Sequence, residues 1–482
     1  MFPLERTIQP VLLSLRMSTR SLPMVGLLGL SDLLALSLAG TVGVYLRLAL
    51  GGEYLPELYG QLWPIFLVFL LAYAAAGLYP AVGLSPVEEL RRICLSTTFT
   101  YLVLGAGLFL TRASETYSRG VFLITWVLSL LLVLLGRFLV RQVFARYPWW
   151  GYQVLILGGG RTGELVIQTL TNQPNFGLKP VAILDDDRST HGSVIGGVPV
   201  LGPLAIAPRL ARQHDIHYAI VAMPGVERQQ LLKVVERYGR TFPHLMMIPD
   251  LFGVASLWVS SKDLGGILGL EIRQQLLLPG PRLIKALLDL VLTLVVGIAL
   301  LPVIAVIAIL VRLDSAGPIF YGQPRLGQNS VSFVAWKFRS MVSNADRVLD
   351  CYFEANPELR SQWERDHKLR YDPRITPIGR FLRRTSLDEL PQLWNVLRGE
   401  MSLVGPRPIV KEEIFRYADK YPLYAQVLPG LTGLWQVSGR NNVSYEERVN
   451  LDAYYVRNWS VWLDIYILFR TVWVVLIGDG AY

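Results

Sequence analysis

The first 150 residues alternate long apolar runs with short polar loops. The runs cover about Leu22–Leu50, Gln61–Tyr79, Ile93–Leu110 and Val121–Val140. Each is close to the ~20 residues that an α-helix needs to cross a bilayer. Residues 1–150 are therefore predicted to form an integral membrane α-helical bundle of four spans. A modest excess of arginine in alternate loops favours a cytoplasmic position for both ends of this bundle.

From residue 151 the apolar runs shorten to strand length. Gln153–Leu157, Val181–Leu184 and Ala219–Ala222 are typical of buried strands, and Glu164–Leu170 is typical of a helix. Strands that alternate with helices indicate a parallel sheet. Residues 151–250 are therefore predicted to form an α/β Rossmann-like cytoplasmic domain.

A glycine fingerprint follows the first of these strands. Gly158-Gly159-Gly160-Arg161-Thr162-Gly163 has G-x-G-x-x-G spacing, and Asp185 lies 22 positions beyond Gly163. Such a loop can bind a dinucleotide through its backbone amides and the following helix N-terminus. A Rossmann-like domain with an empty site, used for association or regulation, remains the alternative.

A fifth apolar segment, Ala286–Val311, follows a glycine-rich linker at 251–281. It is long enough to span a bilayer, yet both of its flanks are basic. Pro302 lies within the segment, and proline kinks a helix. We expect a re-entrant helix at 283–311 that enters and leaves by the same face, with Pro302 at the bend; a proline-kinked full span is the alternative.

Composition narrows the class of protein. The hydrophobic fraction is 52% and the net charge is +9, and the mean hydropathy is positive. Part of the chain must lie in lipid. No basic tract is interleaved with aromatic residues, so we expect no nucleic acid partner and favour anionic lipid or diphosphate ligands. Two distant cysteines, Cys94 and Cys351, predict neither a disulfide framework nor a metal cluster.

The region from about residue 314 to 482 is polar, basic and rich in loops. Trp459–Ile477 is apolar but contains Asp464 and Arg470. This pattern predicts a helix that lies in the membrane interface with its tryptophans at headgroup level. Residues 282–482 are expected to form a mostly helical monotopic domain with the re-entrant helix at its start.

Adjacent carboxylates, Asp388 and Glu389, lie in a densely charged stretch of this domain. Ser386 and Glu389 have the spacing of a capping box, which is the simplest structural explanation. Five cations favour a chemical role instead: Lys337, Arg339, Arg383, Arg384 and Arg407. Cations near a helix N-terminus would bind a diphosphate and keep a carboxylate ionised as a nucleophile. Asp388 and Glu389 could also hold Mg²⁺ beside substrate phosphates.

Several sequence blocks in this domain resemble the bacterial sugar transferase family, the monotopic polyprenol-phosphate phosphoglycosyl transferases. The blocks are Lys337–Met341, Asp372–Thr376, Gly379-Arg380, Arg384–Asn395, Met401–Pro408, Pro429–Asn441 and Leu451–Val456. They occur in the family's order and cover most of residues 280–482. The segment Gly322-Gln323-Pro324-Arg325 departs from the pattern, since relatives often carry a further cation or aromatic residue near Gly322.

The resemblance implies a role for each matching residue. Asp388 would be the nucleophile that attacks the β-phosphate of a UDP-sugar, and Glu389 would complete the pair and help to place Mg²⁺. The remaining residues would bind the substrate. The phosphates would be bound by Lys337, Arg384 and Arg407, and the nucleotide or sugar would be bound by Gln436, Arg440 and Asp452. Polyprenol phosphate would accept the phosphosugar in a second step. The resemblance also implies a homodimer, with the Rossmann-like region serving association and regulation.

Two other classes of protein remain as alternatives. A membrane-bound NAD-dependent nucleotide-sugar dehydratase or epimerase would share the spans and the Rossmann-like domain, but would need a Tyr-x-x-x-Lys pair in a full cofactor domain. A membrane transporter or sensor should bury ionisable residues in its spans. The four N-terminal runs contain little beyond Asp32, Arg47 and Arg137, near their ends.

Overall fold

The computed structural model describes residues 22–52, 56–80, 82–110, 117–248, 259–263, 268–272, 275–355, 372–439 and 443–477. The chain divides into two compact units, Met1–Leu251 and Phe252–Tyr482. The first unit holds the N-terminal helices and the Rossmann-like sheet. The second holds the fifth apolar segment and the carboxylate pair.

Three of the predicted N-terminal spans are long apolar helices. The helices of this region are α1 (Leu22–Ala49), α2 (Glu57–Gly60), α3 (Ile65–Ala75), α4 (Pro86–Leu110) and α5 (Arg119–Phe144). Helices α1, α4 and α5 are long enough to cross a membrane, whereas α3 has 11 residues. The predicted second span is therefore shorter than expected. Pro64 precedes α3, and Gly77 in the left-handed conformation follows it, so residues favourable to helix starts and stops bound it closely.

Charged side chains join three of these helices inside the bundle. Arg137 on α5 bonds Asp32 on α1 (Nη2 to Oδ2, 2.6 Å) and Glu89 on α4 (Nη1 to Oε1, 3.1 Å). Asp32 is 0% exposed and Arg137 is 1% exposed. The buried ionisable residues expected of a transporter or sensor are thus present, contrary to the sequence-based expectation. They form closed ion pairs, which limits the cost of burial.

The same cluster continues into the Rossmann-like domain. Arg141 pairs with Glu89 (Nη2 to Oε1, 3.0 Å) and donates a second hydrogen bond to the carbonyl oxygen of Asn175. Trp150, which is buried, packs with Met24 at the start of α1. The bundle and the sheet of this unit therefore share one interface.

A six-stranded sheet forms the Rossmann-like domain, as the sequence predicted. Its strands are β1 (Tyr152–Leu157), β2 (Leu178–Leu184), β3 (Val194–Ile195), β4 (Val198–Gly202), β5 (Tyr218–Val221) and β6 (His244–Met247). The order is β3-β4-β2-β1-β5-β6, and only the β3–β4 pair is antiparallel. The helices are α6 (Arg161–Asn172), α7 (Ala207–His214) and α8 (Arg228–Gly239). Buried apolar clusters on both faces of the sheet form the core.

The second unit begins with an antiparallel pair, β7 (Val259–Asp263) and β8 (Leu268–Ile272), within the predicted linker. Helix α9 (Pro279–Asp314) follows. The remaining strands are β9 (Phe320–Leu326), β10 (Ser332–Phe338), β11 (Ser402–Val404) and β12 (Gly430–Thr432), paired β9 with β10 and β11 with β12. The remaining helices are α10 (Ala345–Ala355), α11 (Pro377–Thr385), α12 (Leu393–Leu397), α13 (Ile414–Tyr417), α14 (Tyr421–Ala425), α15 (Leu434–Val437), α16 (Tyr445–Asn458) and α17 (Val461–Ile477). Short helices and small sheets thus make a mostly helical domain.

Helix α9 is continuous through Pro302 and has 36 residues, a length of about 54 Å. Most of its apolar side chains are exposed, as expected for a helix in lipid. Its buried residues form two groups: Lys285, Asp289 and Thr293 in the first half, and Ile307 and Val311 near the end. Both ends therefore contact the rest of the unit.

Helix α17 matches the predicted interfacial helix only in part. Trp473 is half exposed, in keeping with a place at the membrane surface. Trp459, however, is buried and donates its indole N–H to Asp464 Oδ2 (2.9 Å). Trp459 is therefore packed inside the protein, where it supplies a donor to Asp464, a buried acceptor that needs donors.

Candidate active site

The carboxylate pair lies on a tight turn between two helices. Helix α11 ends at Thr385, Ser386 adopts a left-handed conformation (φ 56°), and Leu387–Gln392 forms a 3₁₀-helix. The side chain of Ser386 makes no capping hydrogen bond, so the capping-box explanation is wrong. Leu387 and Leu390 pack against the buried cluster around the end of α9. With three residues per turn, this leaves Asp388 and Glu389 away from the apolar face.

Lys337 on β10 forms an ion pair with Glu389. The distance from Nζ to Oε1 is 2.6 Å, and both side chains are partly buried. Burial alone would raise the pKa of Glu389, but the positive charges of Lys337, Arg407 and Arg325 outweigh it and hold this pKa below its usual value. Glu389 is therefore ionised at neutral pH.

Asp388 behaves in the opposite way. Burial and the negative charge of Glu389 raise its pKa to about 6, although Lys337 and Arg383 oppose the rise. At pH 7 the ionised form still exceeds the protonated form roughly tenfold. Lys337 and Arg383 act in the direction that the sequence analysis expected of nearby cations, but burial and Glu389 outweigh them and shift the pKa of Asp388 upwards.

Apart from Lys337, only two of the predicted cations act on the carboxylates in the described structure. Arg383 and Arg407 act electrostatically on Asp388 and Glu389 respectively, and Arg383 donates from Nε to Ser340 Oγ (2.8 Å). Arg384 is exposed on α11. Arg339 is engaged elsewhere: its Nη2 donates to the Ser315 carbonyl oxygen (2.6 Å) and its Nη1 to that of Ala316 (3.0 Å). Arg339 thus holds the chain that leaves α9, a contact its sequence block did not reveal.

Asp452 is buried near Arg448 and Arg407, and Gln436 is partly buried. Asp452 is 2% exposed and accepts a hydrogen bond at Oδ2 from Tyr417 (2.8 Å). Its other oxygen and Gln436 Oε1 have no hydrogen-bond partner among the described residues. Burial raises the pKa of Asp452 to about 7, despite the Tyr417 hydrogen bond and the Arg448 and Arg407 charges. Arg440, also predicted to bind substrate, lies outside the described residues.

Three residues that the sequence analysis did not select belong to this region. Arg325 acts on Glu389. Arg407 and Arg448 both lie over the ring of Trp435, with the guanidinium carbon 5.7 Å and 4.0 Å from the centroid. Arg325 was in the block set aside as a departure, and Trp435 was in a quoted block. Arg448, on α16, lies between two of the quoted blocks, so no pattern pointed to it.

The carboxylate pair fits a magnesium ion. The described residues contain no group of three His, Cys, Asp or Glu side chains that could hold a metal by themselves. Mg²⁺, however, needs only one or two carboxylates when substrate phosphates supply the remaining ligands. Glu389 raises the pKa of Asp388 by repulsion, and a cation between the two carboxylates would relieve it.

The glycine loop does not fit a dinucleotide phosphate. It lies between β1 and α6, as predicted, but the backbone N–H of Gly159 donates to Asp185 Oδ2 (2.6 Å). Asp187 donates its backbone N–H to the other oxygen of Asp185 (2.9 Å). The chain's own carboxylate occupies the amide that a phosphate would use, and its charge would repel a phosphate there.

Two known families match the chain. The bacterial sugar transferase model matches residues 280–478, which contain the carboxylate pair and its surrounding cations. A CoA-binding domain model matches residues 74–249, which comprise α4, α5 and the Rossmann-like sheet. Within the region that the CoA-binding model matches, the glycine loop already binds Asp185 and therefore does not favour a phosphate ligand.

Curated relatives align with most of the chain. The UDP-galactose-lipid carrier transferase of Erwinia amylovora is 40% identical over 76% of this chain and 76% of its own. The undecaprenyl-phosphate galactose phosphotransferase of Salmonella typhimurium is 39% identical over 76% and 77%. The UDP-glucose:undecaprenyl-phosphate glucose-1-phosphate transferase of Escherichia coli is 33% identical over 68% of each chain. The chain therefore belongs to the bacterial sugar transferase family and is an enzyme of the phosphoglycosyl transferase class.

Proposed function

We propose that the enzyme transfers galactose-1-phosphate from UDP-galactose to undecaprenyl phosphate and releases UMP. The observation that carries the proposal is the position of Asp388 beside the Glu389–Lys337 ion pair, with Arg383 and Arg407 acting on the two carboxylates. Relatives at 40% and 39% identity are named for galactose transfer to a lipid carrier. This reaction would be the first membrane step of O-antigen or polysaccharide assembly.

The chemistry proceeds in two displacements at phosphorus. In the first, a carboxylate oxygen of Asp388 attacks the β-phosphorus of UDP-galactose, the bond to the bridging oxygen breaks, and UMP leaves with that oxygen. In the second, a phosphate oxygen of undecaprenyl phosphate attacks the phosphosugar–aspartate, and the carboxylate of Asp388 is regenerated. Lys337, Arg383, Arg384 and Arg407 stabilise the charge on the phosphates.

Asp388 and Glu389 would hold Mg²⁺ together with substrate phosphates, and the metal would supply charge neutralisation for the leaving UMP. Glu389 is the better anchor, because its lowered pKa keeps it ionised. Asp388 then remains the nucleophile. Gln436 and Asp452 hold unpartnered acceptor atoms for the nucleotide or sugar side.

The position of α9 supports a re-entrant helix and an active site at the cytoplasmic face of the bacterial inner membrane. Asp289, near its start, contacts Ser402, and Asp314, at its end, contacts Ile378, both in the polar domain. A polar domain on one side of the bilayer would hold both ends of α9 on that same side. UDP-sugar and lipid phosphate can then reach Asp388 from the same face.

The test is a burst experiment with the purified full-length enzyme in detergent. UDP-galactose and magnesium, without undecaprenyl phosphate, should give about one UMP per active site and a phosphohexose adduct on the Asp388 peptide. Asp388→Asn should give neither, whereas Asp419→Asn, an exposed carboxylate of the same domain, should behave as wild type. Turnover should begin on addition of undecaprenyl phosphate. UMP that appears only when the lipid is present would refute the aspartyl intermediate.

UDP-glucose is the second candidate donor, because a relative at 33% identity is named for glucose-1-phosphate transfer. A burst with UDP-glucose or a UDP-N-acetylhexosamine, and none with UDP-galactose, would change the assigned sugar and leave the reaction class intact. The same preparation, sized by light scattering, tests the proposed homodimer.

A further inference from the structure

A polar stripe interrupts the lipid-facing surface of α9. Lys285, Asp289 and Thr293 follow one another at intervals of four residues and are buried, at 8%, 6% and 1% exposure. Neighbouring side chains such as Leu287 and Val291 are more than half exposed. Burial of two charged groups is costly unless they are paired, so this stripe requires specific polar contacts.

Asp289 makes those contacts with strand β11. Ser402 donates its hydroxyl to Oδ2 (2.7 Å), and Leu403 donates its backbone N–H to Oδ1 (3.2 Å). Lys285 lies 3.7 Å from Asp289 Oδ2 and pairs with Asp464 on α17 at 2.8 Å. One carboxylate on the membrane helix thus fixes two successive residues of β11.

Strand β11 leads directly to Arg407. The backbone N–H of Gly405 donates to Thr432 on β12 (2.9 Å), and that of Gly430 donates to Pro406 (2.7 Å). The two backbones approach so closely that a side chain at Gly405 would meet the Gly430 nitrogen at 2.8 Å. The segment has little room to move independently of β11, so a shift of the strand would also shift Arg407.

We propose that Asp289 is a positioning residue that sets Arg407 for the phosphates of the nucleotide. The inference rests on the proposed function, in which Arg407 binds those phosphates beside Glu389. Through Asp289, the position of α9 in the membrane determines where β11, and with it Arg407, lies in the active site. Asp289 itself does not touch the substrate.

The experiment compares Asp289→Ala, Asp289→Asn and Ser402→Ala in the full-length enzyme. Leu290→Ala, an exposed position on the same helix, is the matched control. The UMP burst without lipid is measured against UDP-galactose concentration. We expect Asp289→Ala to raise the half-saturating concentration by roughly tenfold or more, as for loss of a hydrogen bond to a charged group. The burst amplitude should stay near wild type, and Asn should restore part of the loss because its amide oxygen can still accept from Ser402 or Leu403.

A second measurement separates this inference from the proposed reaction. UMP binding is followed by calorimetry in wild type, Asp289→Ala, Arg407→Met and the double variant, which needs no turnover. If Asp289 acts through Arg407, the double variant binds UMP about as weakly as Arg407→Met alone. Additive losses, or a burst amplitude that falls with no change in half-saturation, would overturn the inference. If wild type binds UMP in this pattern but releases none from UDP-sugars, the proposed reaction fails and the positioning role stands.

Discussion

Asp388 and Glu389 are neighbours in the sequence, yet their surroundings move their pKa values in opposite directions. Glu389 Oε1 lies 2.6 Å from Lys337 Nζ, and this residue stays ionised. Burial and the charge of Glu389 raise the pKa of Asp388 to about 6. Environments that separate two carboxylates in this way assign them different tasks. The ionised, paired residue suits a metal or diphosphate anchor, and the other suits the nucleophile.

Replacing Lys337 should shift the pH dependence of UMP release. In the proposed mechanism Asp388 must be ionised to attack, so the wild-type burst rate should fall as the pH drops below about 6. Lys337→Met removes a charge that lowers the pKa of Asp388, while Arg407 and Arg325 still act on Glu389. The acidic limb should therefore move upwards by about one pH unit or more. Burst rates between pH 5 and 8 measure this.

Lys411→Met is the charge-matched control for this prediction, since Lys411 is exposed. Its acidic limb should coincide with that of wild type. A Lys337→Met profile that keeps the wild-type midpoint, with only a uniform loss of rate, would contradict the electrostatic role of Lys337.

Among elements, local patterns were predictable and long-range pairings were not. The strands and the helix around the glycine loop appear where alternation and glycine spacing placed them, with ends shifted by one to three residues. The contact between Gly159 and Asp185 could not be predicted, because 26 positions separate the two residues and only the folded sheet brings them together. Likewise the sequence showed a capping box at Ser386, but the packing of Leu387 and Leu390 favours a 3₁₀ turn.

Helices α1, α4 and α5 should depend on Arg137 for their stability. Arg137→Met leaves Asp32 and Glu89 buried with fewer partners, which typically costs about 3–5 kcal/mol. We expect a clearly lower melting temperature in detergent, measured by tryptophan fluorescence. Arg146→Met, an exposed position just after α5, should leave it unchanged.

The double variant Asp32→Asn/Arg137→Met gives the decisive comparison. Removal of both charges should recover part of the stability that Arg137→Met loses. If the double variant is less stable than Arg137→Met, the Asp32–Arg137 ion pair is not what holds these helices together.

At the scale of the whole molecule, the proposed membrane topology rests on which residues α9 contacts. Sequence length alone could not distinguish a span from a re-entrant helix. The contacts of Asp289 and Asp314 with the polar domain favour re-entry. The ion pair between Lys285 and Asp464 could not be predicted from the hydropathy pattern, because 179 positions separate the two residues.

Cysteine labelling tests this topology. The background lacks Cys94 and Cys351, and the two test positions are exposed: Gly280 in the first turn of α9 and Asn329 beyond its end. Gly280→Cys and Asn329→Cys should both react with an impermeant maleimide in inverted vesicles and not in intact cells. Gly51→Cys, in the loop after α1, should show the reverse. If Gly280→Cys and Asn329→Cys label from opposite sides, α9 spans the membrane.

The shared interface between the bundle and the Rossmann-like sheet also determines how this enzyme can be divided. Arg141 reaches the Asn175 carbonyl oxygen, and Trp150 is buried against Met24. A soluble fragment that starts at residue 151 would lack Arg141 and Trp150. It would also lack Val82, which packs against the core of the sheet, so that part of the core would be exposed. Such a piece would expose apolar surface and aggregate. A ligand screen on this fragment would test a surface that the full-length enzyme buries. Ligand screens on the Rossmann-like domain therefore require the N-terminal helices as well.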